Sequence, residues 1–343
     1  MRYRLLLPSL LTLSALGLAA CGEETTQPNT AVDHPTAPRA AVTSNTWLTR
    51  RDMPLELIHQ AAADVPNAQG QSILYAIAGG KVDGLPGRPV PMGEVRAYNV
   101  ATNTWTSKKD MPAARYWMNG AGVIGGKIYV TGGYTSKGRP SASVFVYNPA
   151  SDTWTRKRDM PAAGGNGVTG IIGGKLYVVT FNGQGPVGLV SNFFRYNPAT
   201  DSWTRLPRPT NSLTMGEGGG GVINNKLYLI TVAVDSAFNT ASKLLEFDPS
   251  TNKWTQKRLP DFASGVWGGP MTVVMLSHLY LFGAPDIFIY DPASNTWAAK
   301  PLLTKFGYWA DYELTAARVF LNGKPRVQVI GGYIPGNNQQ YIP

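Results

Sequence analysis

Cysteine is almost absent: among 343 residues only Cys21 carries a thiol, so no intramolecular disulfide can form. Histidine is nearly as scarce, with His34, His59 and His278 alone. They are too scattered for a multi-histidine copper centre, and no Cys/His cluster suits zinc. No cofactor is expected. There is no GxSxG nucleophile motif. The run "MGEGGGG" (Met215–Gly221) lacks the Lys-Ser/Thr of a phosphate loop, and its glycines suit a closely packed inner strand instead. Acidic residues number 21 against 31 lysines and arginines, giving a formal charge of +10. After residue 20 no apolar run reaches the ~20 residues of a spanning helix. What the chain does have is 43% hydrophobic content, 38 glycines and 26 prolines. That composition excludes a disordered protein and favours short strands joined by tight turns.

Residues 1–20 read as a secretory signal: Met1–Arg4 is basic and Leu5–Ala20 is apolar and interrupted by Pro8. "LAA" followed by Cys21 resembles the lipobox of bacterial lipoproteins, which implies cleavage before Cys21 and lipidation of its sulfur. Residues 21–44 follow as the lipidated cysteine and a Thr/Pro/Ala-rich flexible tether. Gly22 is not the aspartate that often retains lipoproteins in an inner membrane, so the resemblance points to an outer membrane or cell surface. Contact with the membrane is expected through this anchor only.

From residue 45 to 343 a repeat dominates. Trp47, Trp105, Trp154, Trp203, Trp254 and Trp297 each follow a polar turn, at spacings of 58, 49, 49, 51 and 43 residues. Tyr98, Tyr147, Tyr196, Phe247 and Tyr290 precede five of them by seven residues. A period near fifty signals a propeller or solenoid. Each period holds four strand-like runs; Gly125-Gly126, Gly173-Gly174, Asn224-Asn225 and Asn322-Gly323 suit two-residue turns between the first two. Asn-Pro-Ala-Ser/Thr-Asp and its variants turn the third into the fourth. Four antiparallel strands per period make one blade. The chain finishes "NNQQYIP" where other periods read Tyr-Asn-Pro, and the domain opens "SNTWLTRRDMP", which should come next. The expected fold is therefore an all-β, six-bladed propeller, closed by an N-terminal strand completing the C-terminal blade.

The pattern of a glycine pair followed by Tyr-Asp/Asn-Pro-x-Thr-x-x-Trp resembles the Kelch repeat. Gly79-Gly80, Gly132-Gly133 and Gly331-Gly332 keep the glycine pair; the third, fourth and fifth periods read "TFNG", "TVAV" and "FGAP". Basic clusters such as "TRKRD" (Thr155–Asp159) follow the blade tryptophans. Spread around the rim without interleaved aromatics, they suit protection of an outer strand from aggregation better than nucleic acid.

The second-to-third and inter-blade connections vary between periods and emerge on one face, where binding residues belong. The candidates are Glu56, His59, Arg115, Tyr116, Trp117, Asn119, Asn166, Met215, Glu217, Trp267, Tyr308, Trp309 and Asp311, with the loops Lys81–Glu94 and Tyr134–Ser141. Aromatics beside Arg, Asn and Glu suit a sugar or a protein partner. The leading expectation is a monomeric, lipid-anchored binding protein of the envelope. Two alternatives stay open. Some Kelch proteins interconvert sialic-acid anomers with a carboxylate beside an arginine, which implies Glu217 as acid/base and Arg115 as carboxylate clamp. The other is a structural envelope scaffold.

Overall fold

The computed structural model describes residues 45–81, 89–182, 190–209, 214–234, 240–259, 271–283, 286–301, 314–332 and 337–343. They form six antiparallel sheets in a propeller. Blade 2 shows the plan, with strands Ala121–Ile124, Lys127–Thr131, Val144–Asn148 and Thr153–Lys157 pairing in sequence order. Blades 3, 4 and 5 repeat it from Gly165, Thr214 and Met271. Blade 6 takes Leu314–Leu321, Lys324–Gly331 and Asn338–Ile342 from the C-terminal part and Thr46–Thr49 from the N-terminal part, with Trp47 opposite Tyr341. The inner strands pack on their neighbours in order, and blade 6 returns to blade 1. Blade 1 differs from the expected four strands. Leu57–Ile58 adds a fifth, pairing with Gly80 and Lys81. Its second-to-third connection is also shorter than the Lys81–Glu94 expected, because Val90–Glu94 continues the ladder.

The first-to-second turns show why their residue types recur. Gly125 and Gly126 adopt φ of 56° and 71°, and Asn224 and Asn225 adopt 50° and 61°. Such paired left-handed residues match the twist of the flanking strands. Packing between blades uses another glycine. A Cβ on Gly122 would lie 2.7 Å from Ile171, one on Gly170 2.5 Å from Val222, and one on Gly221 2.5 Å from Val274. Each inner strand thus gives up a side chain to seat a branched residue of the next blade.

The blade tryptophans and tyrosines build the seams. Tyr147 is fully buried, its ring centroid 5.0 Å from that of Trp154. The indole N–H of Trp154 donates to the Lys109 carbonyl (2.8 Å) while the Lys109 N–H donates to Asp152 (2.9 Å). Asp152 also accepts from the Tyr147 hydroxyl (2.6 Å). One residue of the preceding blade is therefore gripped at both backbone groups. The grip recurs at Arg51 with Asn103 and Trp105, at Arg158 with Asp201 and Trp203, and at Arg258 with Asn295 and Trp297. At the blade 3–4 seam the gripped residue is Pro207, which has no N–H, and the tyrosine is Phe247, which has no hydroxyl. Both donors to the turn side chain disappear together.

Candidate binding site

The variable connections of blades 1, 2 and 3 meet in one aromatic cluster. The segment entering blade 2 carries Arg115, Tyr116 and Trp117, and pairs with the residue after the glycine pair. Tyr116 and Tyr134 exchange backbone hydrogen bonds of 3.3 and 2.8 Å. From Tyr134 the chain makes a tight turn, with Thr135 N–H bonded to the Arg139 carbonyl (3.0 Å), and Ser141 N–H returns to Gly133 (2.8 Å). The expected loop Tyr134–Ser141 is thus a closed hairpin, with Lys137 and Arg139 exposed.

Four rings converge there. Trp117 lies 4.7 Å from His59 and 5.7 Å from Tyr134, both edge-on, and 5.1 Å from Tyr116. Tyr116 and Tyr134 are buried, while Trp117 and His59 are partly exposed. Enclosure of the His59 ring lowers its pKa to about 3, so the imidazole is neutral and joins an apolar surface. Arg115 sits at the edge, its Nη1 donating to the Ala114 carbonyl (2.7 Å). The buried Arg115 Nε and Trp117 Nε1 have no hydrogen-bond partner among the described residues.

The backbone beneath this cluster is strained. His59, Trp117 and Asn166, on the segments entering three successive blades, adopt φ of 55°, 52° and 57°. For a bulky residue such as Trp117 this conformation is an outlier that the surroundings must enforce. Enforcement comes from close approach: the Trp117 carbonyl accepts the Asn166 N–H at 2.7 Å. A Cβ on Gly165 would lie 2.2 Å from that carbonyl and 2.8 Å from the Tyr134 ring.

The structure brings His59, Tyr116, Trp117 and Asn166 together, with Arg115 beside them. Glu56 is exposed on the segment leading to blade 1. Asn119 is fully buried; its carbonyl accepts from Thr169 of blade 3 (2.7 Å) and its side-chain amide donates to Thr131 (3.4 Å), so it ties two blades together. Glu217 falls at a bulge between Met215 and Gly218 in the inner strand of blade 4, and the Met215 and Glu217 side chains lie outside the described residues. Trp267, Tyr308, Trp309 and Asp311 also lie outside them. Tyr134 entered the sequence reading only as the first residue of the loop Tyr134–Ser141, not as a ring of the site. Its signal is the place immediately after Gly132-Gly133, where an aromatic ring lands beside the next inter-blade segment. Among the described residues, no group of three or more His, Cys, Asp and Glu side chains is arranged to hold a metal.

The repeat corresponds to a family profile. Residues 67–284 match the KLHDC2/KLHL20/DRC7 Kelch-repeats domain. The chain belongs to the Kelch-repeat family. Within that family it is 28% identical, over 230 residues, to Kelch-like protein terF of Aspergillus terreus, a match covering 59% of this chain and 48% of that protein. The chain therefore spans about half the length of this curated Kelch relative. Among solved structures, that titled "Structure of YjhT" shares the fold with a TM-score of 0.60 at 16% identity, covering 85% of this chain and 95% of the other. Its identity is too low to carry more than the fold. Kelch propellers of this shape offer a rigid scaffold whose variable loops are free to differ, as they do here around Trp117.

Proposed function

We propose that this Kelch propeller is a binding protein held at a bacterial envelope through lipidated Cys21, taking a carbohydrate or protein partner on its variable-loop face. The observation that carries the reading is the ring cluster of His59, Tyr116, Trp117 and Tyr134 on strained backbone. The left-handed backbone recurs 12 residues after Trp47, Trp105 and Trp154, at His59, Trp117 and Asn166, and at Trp117 this blade-entry conformation carries a bulky indole. A partly exposed indole among buried tyrosines supplies apolar area for a sugar face or an apolar side chain. Arg115, Lys137 and Arg139 border it with donors.

Glycan arrays and pull-downs from envelope extracts test this with Trp117→Ala and Arg115→Ala. The expected outcome is one ligand captured by the unaltered chain and lost on removal of Trp117, with unfolding unchanged. Capture that survives both substitutions would exclude this surface.

A further inference from the structure

The opposite face carries charge that the fold does not use. In a meander of four strands the first-to-second and third-to-fourth turns share one end, here the short-turn face. Five first-to-second turns hand the chain to a basic residue: Lys127, Lys175, Lys226, His278 and Lys324. In blades 4 and 5 that residue lies beside the aspartate closing its own third strand. Lys226 Nζ lies 3.1 Å from Asp248, and His278 Nε2 lies 4.0 Å from Asp291. Blades 2 and 3 place Asn148 and Asn197 there instead. Lys127, Lys175 and Lys324 form no ion pair among the described residues. The third-to-fourth-turn carboxylates Asp152 and Asp201 accept from the tyrosine hydroxyls and seam N–H groups and keep their negative charge.

Two apolar side chains stand out at the same end, in adjacent blades. Leu276, 57% exposed, occupies a turn tip at φ 52°, and Phe320, 40% exposed, precedes the Asn322-Gly323 turn by two residues. The chain also enters the propeller here. Thr46 lies opposite Ile342, at the end where other blades make their third-to-fourth turn. Asn45, the first described residue, thus stands at the short-turn face, and 23 residues of sequence separate it from Cys21.

We propose that the short-turn face docks on an anionic bilayer, its free lysines against headgroup phosphates and Leu276 and Phe320 at the interface. The lipid source of the negative charge follows from the anchor, so this deepens the envelope-binder reading and rests on it. Docking in this orientation turns the Trp117 cluster away from the bilayer.

The chain purified from the membranes of an exporting host is first weighed; acyl chains on Cys21 test the anchor alone. The same preparation is then mixed with vesicles of phosphatidylcholine, or of phosphatidylcholine with phosphatidylglycerol, and amide hydrogen exchange is followed. The expected result is protection of residues 125–127, 173–175, 276–278 and 322–324 with the anionic vesicles only, removed by high salt. Lys127→Gln, Lys175→Gln and Lys324→Gln together should lower the docked-to-free ratio on the order of a hundredfold. Equal exchange with both lipids overturns the proposal, as does protection that survives the triple substitution. Protection of the same turns by a protein extract without vesicles overturns it as well. Because exchange is read whether or not Cys21 is acylated, loss of the anchor and loss of the docking surface are told apart.

Discussion

At Leu276 and Ser277 the backbone takes φ of 52° and 60°, in a turn where blades 2, 3, 4 and 6 use glycine or asparagine. A side chain other than those costs roughly 1–2 kcal/mol there. Leu276→Asn with Ser277→Gly should therefore stabilise the protein by about 1–2 kcal/mol, read as a rise of a few degrees in thermal unfolding. A fall would contradict the turn assignment. Gly170→Ala should act in the opposite sense, because its Cβ would meet Val222 at 2.5 Å and Leu227 at 2.9 Å. Its expected cost of ~1–3 kcal/mol is measurable by denaturant unfolding. The turn glycines were legible from sequence because each stands beside its own strands. The inner-strand glycines were not, since the atoms they make room for lie in the next blade, about one repeat away.

Between elements, the seam is the recurring unit. Asp201 accepts from the Tyr196 hydroxyl (2.6 Å) and the Arg158 N–H (3.0 Å), and these bonds hold its carboxyl below the usual carboxylate range. The sign follows: a depressed folded pKa adds stability above the ordinary value of about 3.9, lost as pH falls through the folded one. Asp201→Ala should cost ~1–3 kcal/mol near neutrality by stranding both donors, and the gap to the unaltered protein should narrow in acid. A gap independent of pH would argue against a charged acceptor. The Tyr-to-Trp spacing made the blades readable, and the basic clusters were read as outer-strand protection. Their backbone role was hidden because the gripping residues sit 37 to 54 positions away. Within the candidate site, Trp117 was legible as an aromatic residue outside the repeat. Its contact with Tyr134 arises from tertiary packing, which periodicity does not encode.

For the whole molecule, closure between blades 6 and 1 decides stability. Gln328, Asn338 and Gln340 are fully buried and joined by their side-chain amides, and Asn338 donates to the Arg51 carbonyl at 2.7 Å. Such a network favours one register for the closing strand over slipped alternatives. Asp64 of blade 1 faces the same junction. Ser72 Oγ donates to it (2.5 Å) and accepts the Phe320 N–H of blade 6 (2.9 Å). Burial pushes the Asp64 pKa up to about 6, against the Ser72 bond and the Arg318 charge. A raised folded pKa works opposite to that of Asp201, so stability falls as pH rises from about 4 through 6. Asp64→Asn should flatten that slope and gain roughly 1–3 kcal/mol at pH 7, measured by unfolding at several pH values. A steeper slope would refute it. Six-blade closure was legible because the two chain ends complete one another's repeat; the polar junction between them was not.

The partner is proposed to bind on the variable-loop face over blades 1 to 3. The most direct test is amide hydrogen exchange on the propeller with and without the glycan or envelope protein it captures. Exchange is expected to slow over residues 115–117, 134–141 and 164–166, with the short turns unaffected. Protection confined to the short turns, with those three segments unchanged, would contradict it.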